Sequence, residues 1–264
     1  MKIEKVNLVY FSPTKSTKKI VNSIAASFNT EIVDYDYTHK INSKDVPSFG
    51  SNELVIIGSP VYGGRVAGVA ESFFKSLKGN NTPVVPVVVY GNRDFEDALL
   101  ELSDYLKENN FKMIGAGAFV AEHSYGREIA GGRPDTEDIN IAKLLGEEIK
   151  KRLESVTDLS EIQEIKVSGN HPYKERPPVG EPWAPITTDD CTECGICVSA
   201  CPMAIVSPKN PREITNSQLC IHCCSCIKAC PYDAKLFTAE PYKKIKQFLL
   251  DNCSSVNKKP KLFI

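Results

Sequence analysis

A chain of 264 residues is long enough for two domains, and 42% hydrophobic with 25% charged residues is an ordinary globular composition. A formal net charge of −1 gives no basic footprint for nucleic acid. No apolar run reaches transmembrane length, and the start MKIEKVNLVYF lacks a signal-peptide profile, so a cytoplasmic protein is expected.

Residues 5–11 end in an apolar run, as a buried strand does. Ser12-Pro13-Thr14-Lys15-Ser16-Thr17 follows, then a helical run over residues 18–28. A strand, a hydroxyl-rich loop and a helix start make an anion site, because amides at a helix N-terminus point at the ligand and the hydroxyls add donors. The Walker spacing is missing. Taken alone, such a loop is also compatible with a plain helix cap. Glu31–Asp36 reads as a short strand. Residues 53–58 (ELVIIG) read as a buried one, running into Ser59-Pro60-Val61-Tyr62-Gly63-Gly64-Arg65. Residues 67–77 have helical apolar spacing at Val69, Phe73, Phe74 and Leu77. Residues 83–90 (PVVPVVVY) form a central strand opened by a proline, which is tolerated there. It ends in Tyr90-Gly91-Asn92-Arg93-Asp94, with a helix to Glu108. A fifth strand is predicted over 112–120 and a helix over 136–153.

Five strands alternating with helices predict an α/β fold with an open parallel sheet, whose ligands sit beyond the carboxyl ends of the strands. On its three loops at that end, the chain resembles the flavodoxins over about residues 1–153. The resemblance implies FMN, with Ser12, Thr14, Lys15, Ser16 and Thr17 around the phosphate. Ser59, Pro60, Val61, Tyr62, Gly63 and Gly64 would flank one side of the isoalloxazine, and Tyr90, Gly91, Asn92 and Arg93 the other. Lys15 stands where that family usually has glycine. Tyr62 stacks on the flavin in one reading and merely packs in the other. Arg65 and Arg93 stand in the two flanking loops. An unpaired guanidinium there favours the reduced flavin and so a flow of electrons toward it; the alternative is pairing with a neighbour such as Asp94.

Residues 121–135 (AEHSYGREIAGGRPD) form a long, glycine-containing loop on the same side of the sheet. His123, Ser124 and Tyr125 are candidates for contact with the flavin rim or a substrate, or for a surface loop with local hydrogen bonds. Prolines then crowd in at Pro172, Pro177, Pro178, Pro182 and Pro185. This predicts an extended, semi-rigid connector, with a possible short strand over 164–167 and with Tyr173 and Trp183 as packing anchors.

The next stretch reads Cys191-x2-Cys194-x2-Cys197-x3-Cys201-Pro202, and the same run repeats as Cys220-x2-Cys223-x2-Cys226-x3-Cys230-Pro231. This is the bacterial ligand pattern for paired 4Fe-4S clusters, in which the fourth cysteine of each run serves the other cluster. One cluster then takes Cys191, Cys194, Cys197 and Cys230, and the second takes Cys220, Cys223, Cys226 and Cys201. Zinc uses Cys-x2-Cys as two pairs with a long spacer, a poor fit to this run. Disulfides belong to oxidising compartments, and nothing marks the chain as secreted. The stretch resembles the two-cluster bacterial ferredoxins over roughly fifty residues, which implies a small α+β domain. Clusters and flavin phosphate would add negative charge, a further argument against nucleic acid. Cys224 and Cys253 fall outside the pattern, the first as a packed residue or alternative ligand, the second as an ordinary thiol. Residues 240–252 predict a helix with Ile245, Phe248 and Leu249 on one face, and Lys258-Lys259-Pro260-Lys261 a solvated basic end.

The expected division is residues 1–155 flavodoxin-like, 156–185 connector, 186–240 ferredoxin-like, and 241–264 C-terminal helix and tail. The whole chain resembles the fused flavodoxin–ferredoxin proteins of anaerobes. That implies an electron-transfer protein coupling one-electron and two-electron redox partner proteins, or alternatively an FMN-dependent reductase of a small molecule fed by its own clusters. A redox sensor lacks any output domain here, and no dinucleotide fingerprint follows a strand.

Overall fold

The computed structural model describes residues 1–176 and 180–264. Pro177 and Pro178 of the connector lie outside the described residues. Strands β1 (Lys5–Tyr10), β2 (Glu31–Asp36), β3 (Glu53–Tyr62), β4 (Thr82–Tyr90) and β5 (Ala116–Val120) form a sheet in the order β2-β1-β3-β4-β5, with every pairing parallel. A strand covered on both faces reads as an unbroken apolar run, and all of β4 is buried. Its Val85 and Val87 pack with Ile20, Ile24, Leu145 and Ile149 of helices α1 (Ser16–Ala25) and α4 (Thr136–Glu154). Its Val84 and Val88 pack with Phe73, Phe74, Leu99 and Leu102 of α2 (Glu71–Ser76) and α3 (Ala98–Glu108). Strand order reverses between β1 and β3, so the loops after these two strands open at the switch point where such sheets bind ligands.

Four elements differ from expectation. The fifth strand is interrupted: Phe111–Met113 pairs with Thr82, Pro83 and Val84, and β5 pairs with residues from Val87 onward. The gap falls opposite Val85 and Pro86, and Pro86 has no N–H to donate. The helix expected over 67–77 is a 3₁₀ turn, Gly68–Ala70, followed by the shorter α2. Residues 164–167 form no strand; Ile165 is buried and Val167 packs on the core as part of a strap. The basic end is docked rather than solvated. Lys261–Phe263 forms a strand antiparallel to β5 at the sheet edge. Lys258 Nζ meets Asp94 Oδ2 at 2.7 Å, and Lys259 pairs with Glu137 at 2.8 Å.

The cysteine-rich region holds α5 (Ile196–Ala200), α6 (Ser225–Lys228) and a two-stranded antiparallel sheet of β6 (Ile186–Thr187) and β7 (Lys235–Leu236). Its repeat shows in the backbone. Glu193, Gly195 and Ala204 have left-handed φ of 57°, 77° and 52°, and His222, Cys224 and Asp233, each 29 positions later, have 54°, 62° and 50°. Helix α7 (Glu240–Cys253) starts with proline in its first turn, where the missing N–H costs nothing. Only Leu249 and Cys253 of its apolar residues are buried; Ile245 and Phe248 stay 43% and 56% exposed. Numbering the tail strand β8, the chain thus leaves the first sheet, builds the second unit and returns to the first. No helix of the described residues is long and apolar enough to cross a membrane.

Candidate functional site

The loop after β1 is held from below. Ser12 is buried, its amide donates to Thr38 Oγ1 at 2.9 Å, and its Oγ accepts from the Lys18 amide at 3.0 Å. Lys15 precedes α1 with φ 64°. The turn is therefore made without glycine, at a strain of about 1–2 kcal/mol. Thr17 is buried, and a Cβ at Gly58 would lie 2.6 Å from its Cγ2, so only glycine lets α1 sit this close to β3. Among the described residues, the amides of Thr14, Ser16 and Thr17 have no acceptor. Amides at a helix start, with the Thr14 and Ser16 hydroxyls beside them, form a donor set for a phosphate. The phosphate end of FMN fits these residues.

The two flanking loops lock onto one another. Gly63 and Gly64, at φ 64° and 88°, turn β3 into a short hairpin with Arg65–Val66. The Asp97 amide donates to Gly64 O at 3.0 Å. Both arginines are paired, the second of the two readings above, with Glu101 and Glu96 as partners rather than Asp94. Arg65 donates through Nε and Nη2 to Glu101 at 2.8 and 2.7 Å, and Arg93 donates to both oxygens of Glu96 at 2.8 and 3.0 Å. Asn92, at φ 63°, turns inward, and its Nδ2 donates to Cys253 O and Val256 O at 2.9 and 2.6 Å. Ser59 is buried and Tyr90 belongs to the core, whereas Pro60, Val61, Tyr62, Gly91 and Arg93 are partly open and Gly63 is exposed. Burial, and after it the charges of Cys223, Cys224 and Tyr125, raise the Tyr62 phenol well above its usual range.

The loop 121–135 lies along the seam between the two units rather than as a free surface loop. Glu122 pairs with Lys228 at 2.8 Å, and Ile129 is buried with Leu249 and Cys253 of α7. The Tyr125 ring meets those of Tyr242 and Phe237 edge-on at 5.0 and 6.3 Å, and Tyr242 OH donates to Tyr125 O at 3.1 Å. His123 packs against Gly91, and its Nδ1 accepts the Tyr125 amide at 3.0 Å, which puts the ring proton on Nε2. Burial, with Lys228 and Arg93 nearby, lowers its pKa to about 4, so the ring is neutral. Ser124 is partly buried in the same turn.

The eight patterned cysteines are free thiols divided between two cavities. Cys191, Cys194, Cys197 and Cys230 line one, with Gly195, Ile196, Tyr232 and Lys235. Cys201, Cys220, Cys223 and Cys226 line the other, with Cys224, Ile205, Val206 and Phe237. Each cavity joins three cysteines of one run to the fourth of the other. Among the described residues no three His, Cys, Asp or Glu side chains converge on one metal ion; the thiols wall a space instead. Walls of four thiols fit a cubane. Burial pushes Cys223 and Cys226 up to about 12, so loading these positions must displace protons. Cys224, a fifth thiol in the wall of the second cavity, is buried in the left-handed position that Gly195 fills in the first run. Trp183 stacks on His222 at 3.5 Å and 7°, and the Tyr173 hydroxyl donates to Asp104, so both act as anchors of the connector.

The two runs face opposite ways. Ile196 of the first is 43% exposed, whereas its counterpart Ser225 is 5% exposed and donates to Pro13 O, in the phosphate loop, at 2.7 Å. Sequence reading missed Ser225, Thr38 and Lys228. Aligning the runs could have found Ser225, since Gly195-Ile196-Cys197 becomes Cys224-Ser225-Cys226 and a hydroxyl replaces an isoleucine.

Residues 7–115 match the family model of a flavodoxin domain, and residues 190–235 that of a 4Fe-4S dicluster domain. Among solved structures the chain is similar to flavodoxin 2 from Bacillus cereus, at 14% identity and a TM-score of 0.43 over 56% of this chain and 99% of that one. It is similar to Fusobacterium nucleatum flavodoxin bound to flavin mononucleotide, at 14% and 0.40 over 58% and 98%. It is also similar to rubredoxin oxygen:oxidoreductase from Desulfovibrio gigas, at 16% and 0.35 over 58% of this chain and 38% of that one. No curated protein matches the chain.

Proposed function

We infer that this chain, which joins a flavodoxin domain to a 4Fe-4S dicluster domain as fused flavodoxin–ferredoxin proteins do, serves in electron transfer with FMN and iron–sulfur. We propose that it carries two clusters and passes electrons between them and FMN, coupling one-electron to two-electron redox partner proteins. When bound, FMN exchanges up to two electrons and each cluster one. In this reading Cys191, Cys194, Cys197 and Cys230 hold the outer cluster, and Cys220, Cys223, Cys226 and Cys201 the inner one. Thr14, Ser16 and the amides of the first loop hold the phosphate, with Lys15 adding charge at its edge. Tyr62, His123 and Tyr125 exclude water from the seam, and His123 offers a neutral Nε2–H there. Residues 1–155, 186–240 and 241–264 serve as flavin unit, cluster unit and clasp.

The observation that carries the reading is the buried hydrogen bond from Ser225 Oγ to Pro13 O. It ties the loop between two inner-cluster cysteines to the flavin phosphate loop, so the two sites share a wall. The outer run turns Cys194 and Ile196 to solvent, where a partner can reach it. The test is anaerobic rapid mixing with a one-electron donor, following flavin bleaching in the parent and in Cys220→Ala. The variant should retain FMN yet reduce it far more slowly. Equal rates at equal FMN content would mean that the flavin is not fed through the inner cluster.

A further inference from the structure

Lys235 is 2% exposed, a lysine buried in the smaller unit. Its Nζ donates to Thr187 Oγ1 at 2.7 Å and reaches Arg212 O at 3.4 Å. Those two acceptors leave one of its three N–H groups over. Among the described residues no carboxylate pairs with it. A buried charge without a counter-charge costs several kcal/mol, so an anion belongs nearby.

The repeat says that the fold does not need this charge. The counterpart of Lys235, 29 positions earlier, is Val206, which is equally buried and lines the inner cavity. Lys235 lines the outer cavity, with Cys191, Cys194, Cys197 and Cys230. At the repeat-related position, one pocket therefore has a cation in its wall and the other has a valine.

We propose that Lys235 is the internal counter-ion of the outer cluster and holds its reduction potential above that of the inner cluster. This rests on the two-cluster reading above. Uptake of one electron adds one negative charge to a cluster and its four thiolates, and a cation inside the wall stabilises the product more than the reactant. The valine pocket has no such term. The exposed cluster then accepts an electron from a partner more readily than the inner cluster does. Lys235 touches no reacting atom of a partner; it is a positioning charge, and its signature is a potential rather than a rate.

The test is a potentiometric titration of the anaerobically purified chain, following the two clusters by electron paramagnetic resonance, in parent, Lys235→Val and Lys235→Arg. Lys235→Val copies the residue of the twin pocket. It should lower the outer-cluster reduction equilibrium about tenfold, or about 59 mV for one electron, and move the inner cluster less. Lys235→Arg should keep the parent potential. Unchanged outer potential in Lys235→Val at full iron content overturns the proposal. If Lys235→Val loses iron while Lys235→Arg keeps it, the charge is what holds the cluster, which supports the proposal. If both lose iron, the lysine acts by shape alone and the proposal fails. A parent chain with only one cluster signal would sink the two-cluster reading itself, a result separate from any of these.

Discussion

Replacing Arg65 by glutamine should cost the protein stability and leave its flavin potential alone. Arg65 lies in the hairpin after β3, beside the proposed flavin site, but its guanidinium is 12% exposed and turned to Glu101, whose carboxylate is 0% exposed. Glu101 also accepts the Val66 amide at 2.9 Å, Tyr105 OH at 2.5 Å and Arg176 Nη2 at 3.2 Å. Burial alone would raise this carboxyl; Arg65, Tyr105 and the Val66 amide bring it below its usual range. Removing one partner of a buried pair costs about 3–5 kcal/mol. Arg176 remains, so the lower end, about 3 kcal/mol, is expected. At about 2–4 °C per kcal/mol the thermal midpoint falls by roughly 6–12 °C. The sign with pH follows from the lowered carboxyl. Its contribution is present above the unfolded carboxylate range and fades as pH falls through the folded value. The gap between Arg65→Gln and parent should therefore be widest near neutrality and shrink in acid. The assay is thermal unfolding across pH, with a redox titration of the flavin. An unchanged midpoint together with a shifted flavin potential would refute the pairing and restore Arg65 as a flavin-facing charge.

Four further outcomes are expected. Anaerobic preparations should carry about eight iron and one FMN per chain by analysis, and zinc in their place would contradict the reading of the cysteines. Cys201→Ala should lose the cluster spectrum of the second run and keep that of the first; the opposite loss would mean that each run closes on itself. Cys224→Ala should keep full iron content, because Cys224, although it lines the second cavity, occupies the position that Gly195 fills in the first run, where no thiol is present. His123 has a folded pKa of about 4 against an ordinary 6.5, so the unfolded chain binds the proton first and stability falls as pH drops from about 6.5 to about 4. His123→Gln should flatten that fall by about 3 kcal/mol in chemical denaturation, and an unaltered pH profile would mean that the imidazole titrates alike in the folded and unfolded chain.

Local pattern made the sheet legible: apolar runs at 53–58 and 83–90 can only be strands covered on both faces. The eight cysteines were legible because ligand spacing is written along the chain. Long-range pairing was not. Arg65 meets a carboxylate 36 positions away, and neither residue's neighbours announce it. Lys261–Phe263 is three residues after a proline, too short for any period, and becomes a strand because the edge of β5 is open to it. Helix α7 was read as a buried face from Ile245, Phe248 and Leu249, yet what it packs on, Ile129 and Tyr125, is narrow enough to cover only Leu249 and Cys253. Lys235 escaped notice because a lysine between Ala234 and Leu236 looks like the solvent side of a strand.

The order of the chain matters to how the two sites stay together. A cluster unit fused by a connector alone would be held at high effective concentration, and its distance from the flavin loops would fluctuate. Here the connector is itself strapped down: the Asn170 and Lys174 amides donate to Asp97 at 2.8 and 2.6 Å, and Arg176 reaches Glu71 and Val66 O. The chain then leaves the cluster unit through α7 and returns as β8 at the sheet edge. On the way it gives Cys253 O and Val256 O to Asn92, and Lys258 O to Arg133. Asn92 belongs to the loop after β4, one of the loops expected around the flavin. The cluster unit is thus fixed at both its ends to the sheet, and its exit is hydrogen-bonded to a flavin loop. Loosening the tail must disturb that loop as well as the seam, because the same side-chain amide serves both.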